Sequence, residues 1–150
     1  PDAPYQTIMD STDAELVKYA GNCFLYTKVV FMNLLYDLIA ARGGDFAAIR
    51  EALIHDPRIG ASHTKPVHQS GHDTTDSAAT AKRGAGGHCF IKDFEAFRHL
   101  YDELVGDKRG SAVLEALSEK NRELLVQSDK DIELLTGVFG DVERYKKASS

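Results

Sequence analysis

The stretch from Leu16 to Ile39 constrains this chain more than any other. Its apolar positions include Tyr19, Ala20, Cys23, Phe24, Val30, Phe31, Leu34, Leu35 and Leu38. They recur at helical spacing for about seven turns. Between Cys23 and Ile39 the clearly polar residues are Thr27, Lys28, Asn33 and Asp37. A helix so apolar nearly all round has to be buried on more than one side. Thr12 and Glu15 have capping-box spacing, which predicts a start near Asp13, and Gly43-Gly44 predicts its end. At a rise of about 1.5 Å per residue the element spans about 40 Å. A chain of 150 residues can scarcely cover that length by itself. A second subunit would cover it, making a homodimer through the helix at 13–42. The plainer alternative is a central helix wrapped by its own neighbours.

The rest reads as shorter helices around this one, an all-α fold class. Residues 1–10 form an extended lead-in, 11–140 a helical domain and 141–150 a frayed tail. Asp45 can N-cap a helix from Phe46 to Ile54, with Phe46, Ile49, Leu53 and Ile54 inward. Residues 61–83 are polar and His-rich, with Val67 the only sizeable apolar side chain, and predict a long mobile loop. Asp93 opens a helix that Gly106 closes, and a last long helix runs from about Ser111 to Val138. No stretch reads as a strand. The net charge of −5 and the lack of clustered Lys and Arg disfavour nucleic acid. No uninterrupted apolar run approaches the roughly 18 residues of a membrane span. Pro1-Asp2-Ala3-Pro4 does not open like a signal peptide. With two cysteines, reduced thiols in the cytoplasm are expected. No apolar strand leads into a glycine fingerprint, so a complete dinucleotide-binding fold is not expected.

Several residues could carry chemistry. Cys89 follows Gly86-Gly87, which permit close backbone approach, and Lys92 is near; a helix start and a cation favour a reactive thiolate. The alternative is a small hydrophobe in a tight turn. Cys23, on an apolar stripe, reads as core. Lys18 and Asn22 share a helix face opposite Leu16, Ala20 and Cys23, where they could hold an oxyanion or simply be solvated. Arg58, in Asp56-Pro57-Arg58-Ile59-Gly60, could clamp a phosphate or sugar hydroxyl, or cap the preceding helix. Asp93 is an N-cap by default and a general base if it faces Cys89. His88 is next to Cys89 in sequence, and His63, His68 and His72 lie in the loop before it. His68 and His72 have zinc-ligand spacing only if their segment is helical, and no metal is expected.

Three segments together resemble a known family. They are Glu15-Leu16-x-Lys18-Tyr19-Ala20-x-Asn22, the Asp56–Gly60 turn, and Gly84-x-Gly86-Gly87-His88-Cys89-Phe90-Ile91-Lys92-Asp93. In these the chain resembles the central domain of the UDP-glucose/GDP-mannose dehydrogenases over roughly residues 11–105. The resemblance implies an all-helical dimerisation domain like the C-terminal domain of 6-phosphogluconate dehydrogenase. It implies a nucleotide-sugar alcohol oxidised to the acid with NAD, through a thioester on Cys89. Lys18 and Asn22 would stabilise the oxyanion, and Asp93 would help activate water beside Lys92. Arg58 would reach the other subunit's substrate, with Gly86 and Gly87 lining the pocket. The family places nucleotide-binding domains on both sides of this region. The chain alone is therefore expected to be inactive unless such domains, on a separate NAD-binding polypeptide for instance, are supplied. A helical dimerisation module that has lost catalysis is the alternative. The loop at 61–83 is longer than the family carries there. Gly-Gly-His-Cys is similar to the branch acting on N-acetylated sugars and Phe-Ile-Lys-Asp to the UDP-glucose branch, so the sugar stays open.

Overall fold

The computed structural model describes residues 4–69 and 82–146. Five helices dominate: α1 (Ser11–Ala41), α2 (Phe46–Ile54), α3 (His88–Val105), α4 (Lys108–Gln127) and α5 (Ile132–Phe139). The fold is all-α, as expected. One departure is a two-residue antiparallel pair, β1 (Val67–His68) with β2 (Lys82–Arg83), in register Val67 to Arg83 and His68 to Lys82. Backbone pairing, not side-chain pattern, makes this pair, so sequence periodicity could not show it. The expected loop character of 70–81, the first three residues of the lead-in and the tail after Lys146 lie outside the described residues.

α1 starts two residues earlier than the capping-box spacing predicts. Asp10 is the N-cap, accepting from the Thr12 amide at 2.9 Å, because a short carboxylate satisfies an orphan N–H and favours the helix dipole. Asp45 caps α2 as expected, but Ile49 points to solvent and no residue of α2 is fully buried. The predicted last helix is two. At Asp129 and Asp131 the backbone takes φ of 54°, a left-handed turn that Asp tolerates better than most residues. Neither glycine nor proline marks this break. Val142 is buried and Tyr145 packs with Arg122, so residues 141–146 are not a frayed tail.

α3 lies between α1 and the α4–α5 pair. Toward α1, Phe94 stacks on Tyr26 with centroids 4.0 Å apart, beside Cys23, Val29 and Val30. Toward α4 and α5, Ile91 packs with Leu125, Val126 and Leu135. Burying each such side chain contributes about 2 kcal/mol. Asn33 and Arg83 fix β2 to α1: Arg83 donates to the Asn33 side chain at 2.8 Å and pairs with Asp37 at 2.8 Å.

The described residues cover only the inner side of α1. Val17, Phe24, Phe31 and Leu38, seven residues apart in turn, are 58 to 70% exposed, and Leu16 and Leu34 flank them. The helix is thus not wrapped by its described neighbours. By length and composition alone α1 could cross a membrane, which corrects the expectation drawn from uninterrupted runs. Core helices pass the same test, and the inner face of α1 is packed on α3.

Candidate active site

The glycine loop, residues 84–87, is held from α4 and the turn after it. Asn121 clamps Ala85 from both sides, accepting from its amide at 2.7 Å and donating to its carbonyl at 3.0 Å. Lys130 donates to the Gly84 carbonyl at 2.9 Å, and Asp131 accepts from the Gly87 amide at 2.8 Å. Gly84 has φ of 94°, and a Cβ there would meet Leu125 at 3.0 Å, so both backbone and space call for glycine. Gly87, φ 90°, is the N-cap of α3. Helix α3 therefore begins five residues before the predicted Asp93.

That shift places Cys89 in the first turn, where backbone N–H groups lack helical partners. Cys89 is exposed. It lines a cavity of about 380 Å3 with Gly86, Gly87, Phe90, His63 and His68. Gly86 and Gly87 thus stand where the sequence puts them, beside the thiol.

Asp93 is not an N-cap. It lies one turn beyond Cys89, on the same side of α3, and is fully buried. Asn22 donates to its Oδ2 at 2.6 Å, Lys18 stands 3.9 Å from the same oxygen, and Lys92 donates to Oδ1. Burial pushes the Asp93 carboxyl up. The hydrogen bonds from Lys92 and Asn22 and the charges of Lys92 and Lys18 outweigh it and hold the carboxyl below the usual carboxylate range. The bond to Asp93 in turn raises Lys92 above the ordinary lysine value, against a smaller effect of burial. Lys18 and Asn22 therefore face α3, while Leu16 and Ala20 of the opposing stripe are exposed rather than core. Cys23 is core: burial, then the charge of Asp93, pushes its thiol up to about 12.

Arg58 is not brought to this cluster. Its side chain is 87% exposed and pairs with Asp56 at 2.6 Å. Lys28 ties the turn to α1 by donating to the Ile59 carbonyl at 2.7 Å. Lys28 is six residues beyond Asn22, about 9 Å along the helix. Among the described residues no three His, Cys, Asp or Glu side chains are placed to hold a metal; His72 lies outside them.

Sequence reasoning missed Asn121, Lys130 and Asp131, which hold the loop. Their one signal is polarity in an otherwise amphipathic helix pattern, and that does not name a partner 36 to 46 residues away. The chemistry available is clear. An exposed cysteine sulfur opens on a cavity, and two ammonium groups and an amide lie one turn along around a buried carboxylate. Such donors stabilise negative charge developing on an oxygen.

Residues 12–123 match the UDP-glucose/GDP-mannose dehydrogenase family, central domain. The UDP-glucose 6-dehydrogenase of Pseudomonas aeruginosa is 32% identical over 121 residues, 81% of this chain and 23% of that protein. The UDP-glucose 6-dehydrogenase YwqF of Bacillus subtilis is 31% identical over 136 residues, 91% of this chain and 27% of that protein. The putative UDP-glucose 6-dehydrogenase YtcA of Bacillus subtilis is 34% identical over 102 residues, 68% of this chain and 20% of that protein. The chain spans about a quarter of the length of the curated relatives it matches.

Proposed function

The chain belongs to the UDP-glucose/GDP-mannose dehydrogenase family, and on that premise we propose that it is the cysteine-bearing, dimer-forming middle of a cytoplasmic nucleotide-sugar 6-dehydrogenase. The observation that carries this is the convergence of Lys18, Asn22 and Lys92 on Asp93, one turn along α3 from Cys89. UDP-glucose is the substrate that the names of its relatives favour. NAD is the hydride acceptor this reading implies. Among the described residues the one sheet is the two-residue pair of β1 and β2, so they offer NAD no doubly wound sheet. They do not fit NAD.

What these residues do is hold the acyl group. Cys89 carries the sugar's C6 carbon as a thioester. Lys18 and Asn22, held on Asp93, present their remaining N–H groups to the oxygen on that carbon as it gains charge. Asp93, ionised and buried, keeps the donors in place meanwhile. Gly86 and Gly87 let the sugar approach the backbone, and Lys92 adds positive charge beside the sulfur. Arg58, free of the Asp93 cluster, serves the partner's substrate across a dimer formed by the outer face of α1.

The test is a graft of residues 12–123 into the matching segment of the Pseudomonas aeruginosa relative, read as NADH formed from UDP-glucose. The graft should turn over, and Cys89→Ser should lower kcat on the order of 10³-fold or more while the dimer persists. A Cys89→Ser graft as fast as its parent would leave only the dimerisation-module reading.

A further inference from the structure

Helix α3 opens on a backbone state that keeps it from capping itself. Its N-cap, Gly87, has φ 90° and ψ 148° and gives the first turn no side-chain bond. That region is essentially open to glycine alone, so the Ser, Thr, Asp or Asn that ordinarily caps a helix cannot stand there. In a capping box the amide of the N-cap residue goes to a Glu or Gln three residues on. The residue three on from Gly87 is Phe90. The Gly87 amide goes instead to Asp131, whose Oδ2 accepts it at 2.8 Å from 44 residues away.

Asp131 departs from two ordinary preferences to make this bond. It is the N-cap of α5, and its carbonyl accepts from the Leu135 amide at 3.0 Å. An Asp in that position ordinarily caps its own helix, but the Asp131 carboxylate makes no cap bond to α5. Its backbone is also left-handed, φ 54°, a state that costs a non-glycine residue free energy and collects at functional sites. Packing of α5 keeps Asp131 there: Leu135, one turn along, is fully buried and packs with Ile91 of α3. Asp131 lies beyond residues 12–123, the stretch that matches the family.

We propose that Asp131 is a positioning residue for Cys89. It supplies from the start of α5 the cap that Gly87 cannot, and so holds the first turn of α3 in shape. Cys89 is the second residue of that turn. Backbone N–H groups there lack helical partners, and they favour negative charge on the sulfur while the turn is formed. The positioning is done by the acceptor oxygen. The negative charge of the same carboxylate lies near the sulfur and works against charge on it, so the two effects of Asp131 have opposite signs. This rests on the reading of Cys89 as the nucleophile.

The experiment alkylates the 150-residue chain with iodoacetamide and follows Cys89 by intact mass across pH, with the same chain in urea as the unfolded reference. Cys23 is buried, so a single addition per chain also reports an intact core. Asp131→Asn keeps an acceptor oxygen for the Gly87 amide and drops the charge. Asp131→Gly drops both and relieves the left-handed backbone. Wild type should react faster at neutral pH than the unfolded chain. Asp131→Asn should match or exceed it, while Asp131→Gly should be roughly fivefold slower and need a higher pH to recover. A role in folding alone would not give this order, because glycine eases the backbone at residue 131. Asp131→Gly as fast as wild type, or Asp131→Asn as slow as Asp131→Gly, would overturn the proposal and leave Cys89 as nucleophile intact. A wild-type Cys89 no faster than in the unfolded chain would overturn both. A second measurement needs no variant to fold. In wild type the Gly87 amide proton resonance should move as acid protonates Asp131, and an amide that stays fixed would also overturn the proposal.

Discussion

Lys130 gives a test of how the glycine loop is held. Its side chain is only 4% exposed. Its amino group donates to the carbonyls of Gly84 at 2.9 Å, His68 at 3.1 Å and Lys82 at 3.3 Å. Burial lowers its pKa from 10.5 to about 8, against a smaller opposing pull from Asp131. At 1.36 kcal/mol for each tenfold change in proton affinity, that drop is about 3 kcal/mol. Below about pH 8 both the native and the unfolded chain hold the proton, and the native state carries the full desolvation penalty. Between about 8 and 10.5 the unfolded chain holds a proton that the native chain has shed, so stability rises with pH across that window. Tyr19, Tyr26 and Cys23, all raised in the native state, act in the opposite direction at alkaline pH. Lys130→Met keeps the apolar stem, removes the titration and leaves those three in place. Urea unfolding followed by circular dichroism would compare the two proteins at about pH 7.5 and about pH 10. Wild type should gain roughly 2 kcal/mol on the variant between those points. The carbonyls orphaned in the variant cost the same at both pH values and cancel. A difference between the proteins that stays constant with pH would refute the assignment of Lys130 as a buried, proton-shedding clamp.

Replacing Phe31 by Asp puts a charge on the outer stripe of α1, where Phe31 is 58% exposed; sedimentation should show wild type as a dimer and the variant as monomer, and an unaltered dimer would move the seam elsewhere. The depressed carboxyl of Asp93 contributes stability that is present above the unfolded value near 3.8 and is lost as pH falls through its lower native value. Asp93→Asn should lose that acid-limb dependence in urea midpoints taken at about pH 6 and about pH 3, and an unchanged acid limb would place the dependence on other carboxylates.

The comparison of sequence with structure turns on particular residues. Helix α1 was legible because its apolar side chains repeat at a helical period, and so was the need for something to cover it. Cys89, Lys18, Asn22, Lys92 and Asp93 were legible as candidates through the family resemblance that two short strings carry. That Lys18, Asn22 and Lys92 all meet on Asp93 was not, because Asn22 and Asp93 are 71 residues apart and their approach is set by Phe94 stacking on Tyr26. The helix start was placed at Asp93 rather than His88 because it is fixed by the left-handed Gly87, and that backbone state is only permitted by glycine, not announced by it. The break at Asp129 and Asp131 went unseen for a similar reason, since tertiary contacts hold Asp in a conformation it does not ordinarily prefer.

What the sequence determined by itself is local: helical periods, the Asp45 cap, the glycine string with its cysteine, and an α1 too apolar to stand uncovered. Tertiary structure decided which side of α1 is covered, which carboxylate the two lysines share, and that Asn121, Lys130 and Asp131 grip the glycine loop from behind. It also decided that His63 and Cys89 open on one cavity. The division has one physical cause. Periodicity and caps act between residues within a turn or two of each other. A buried charge or an orphan carbonyl must find its partner wherever packing brings one, and the linear chain carries no record of that distance.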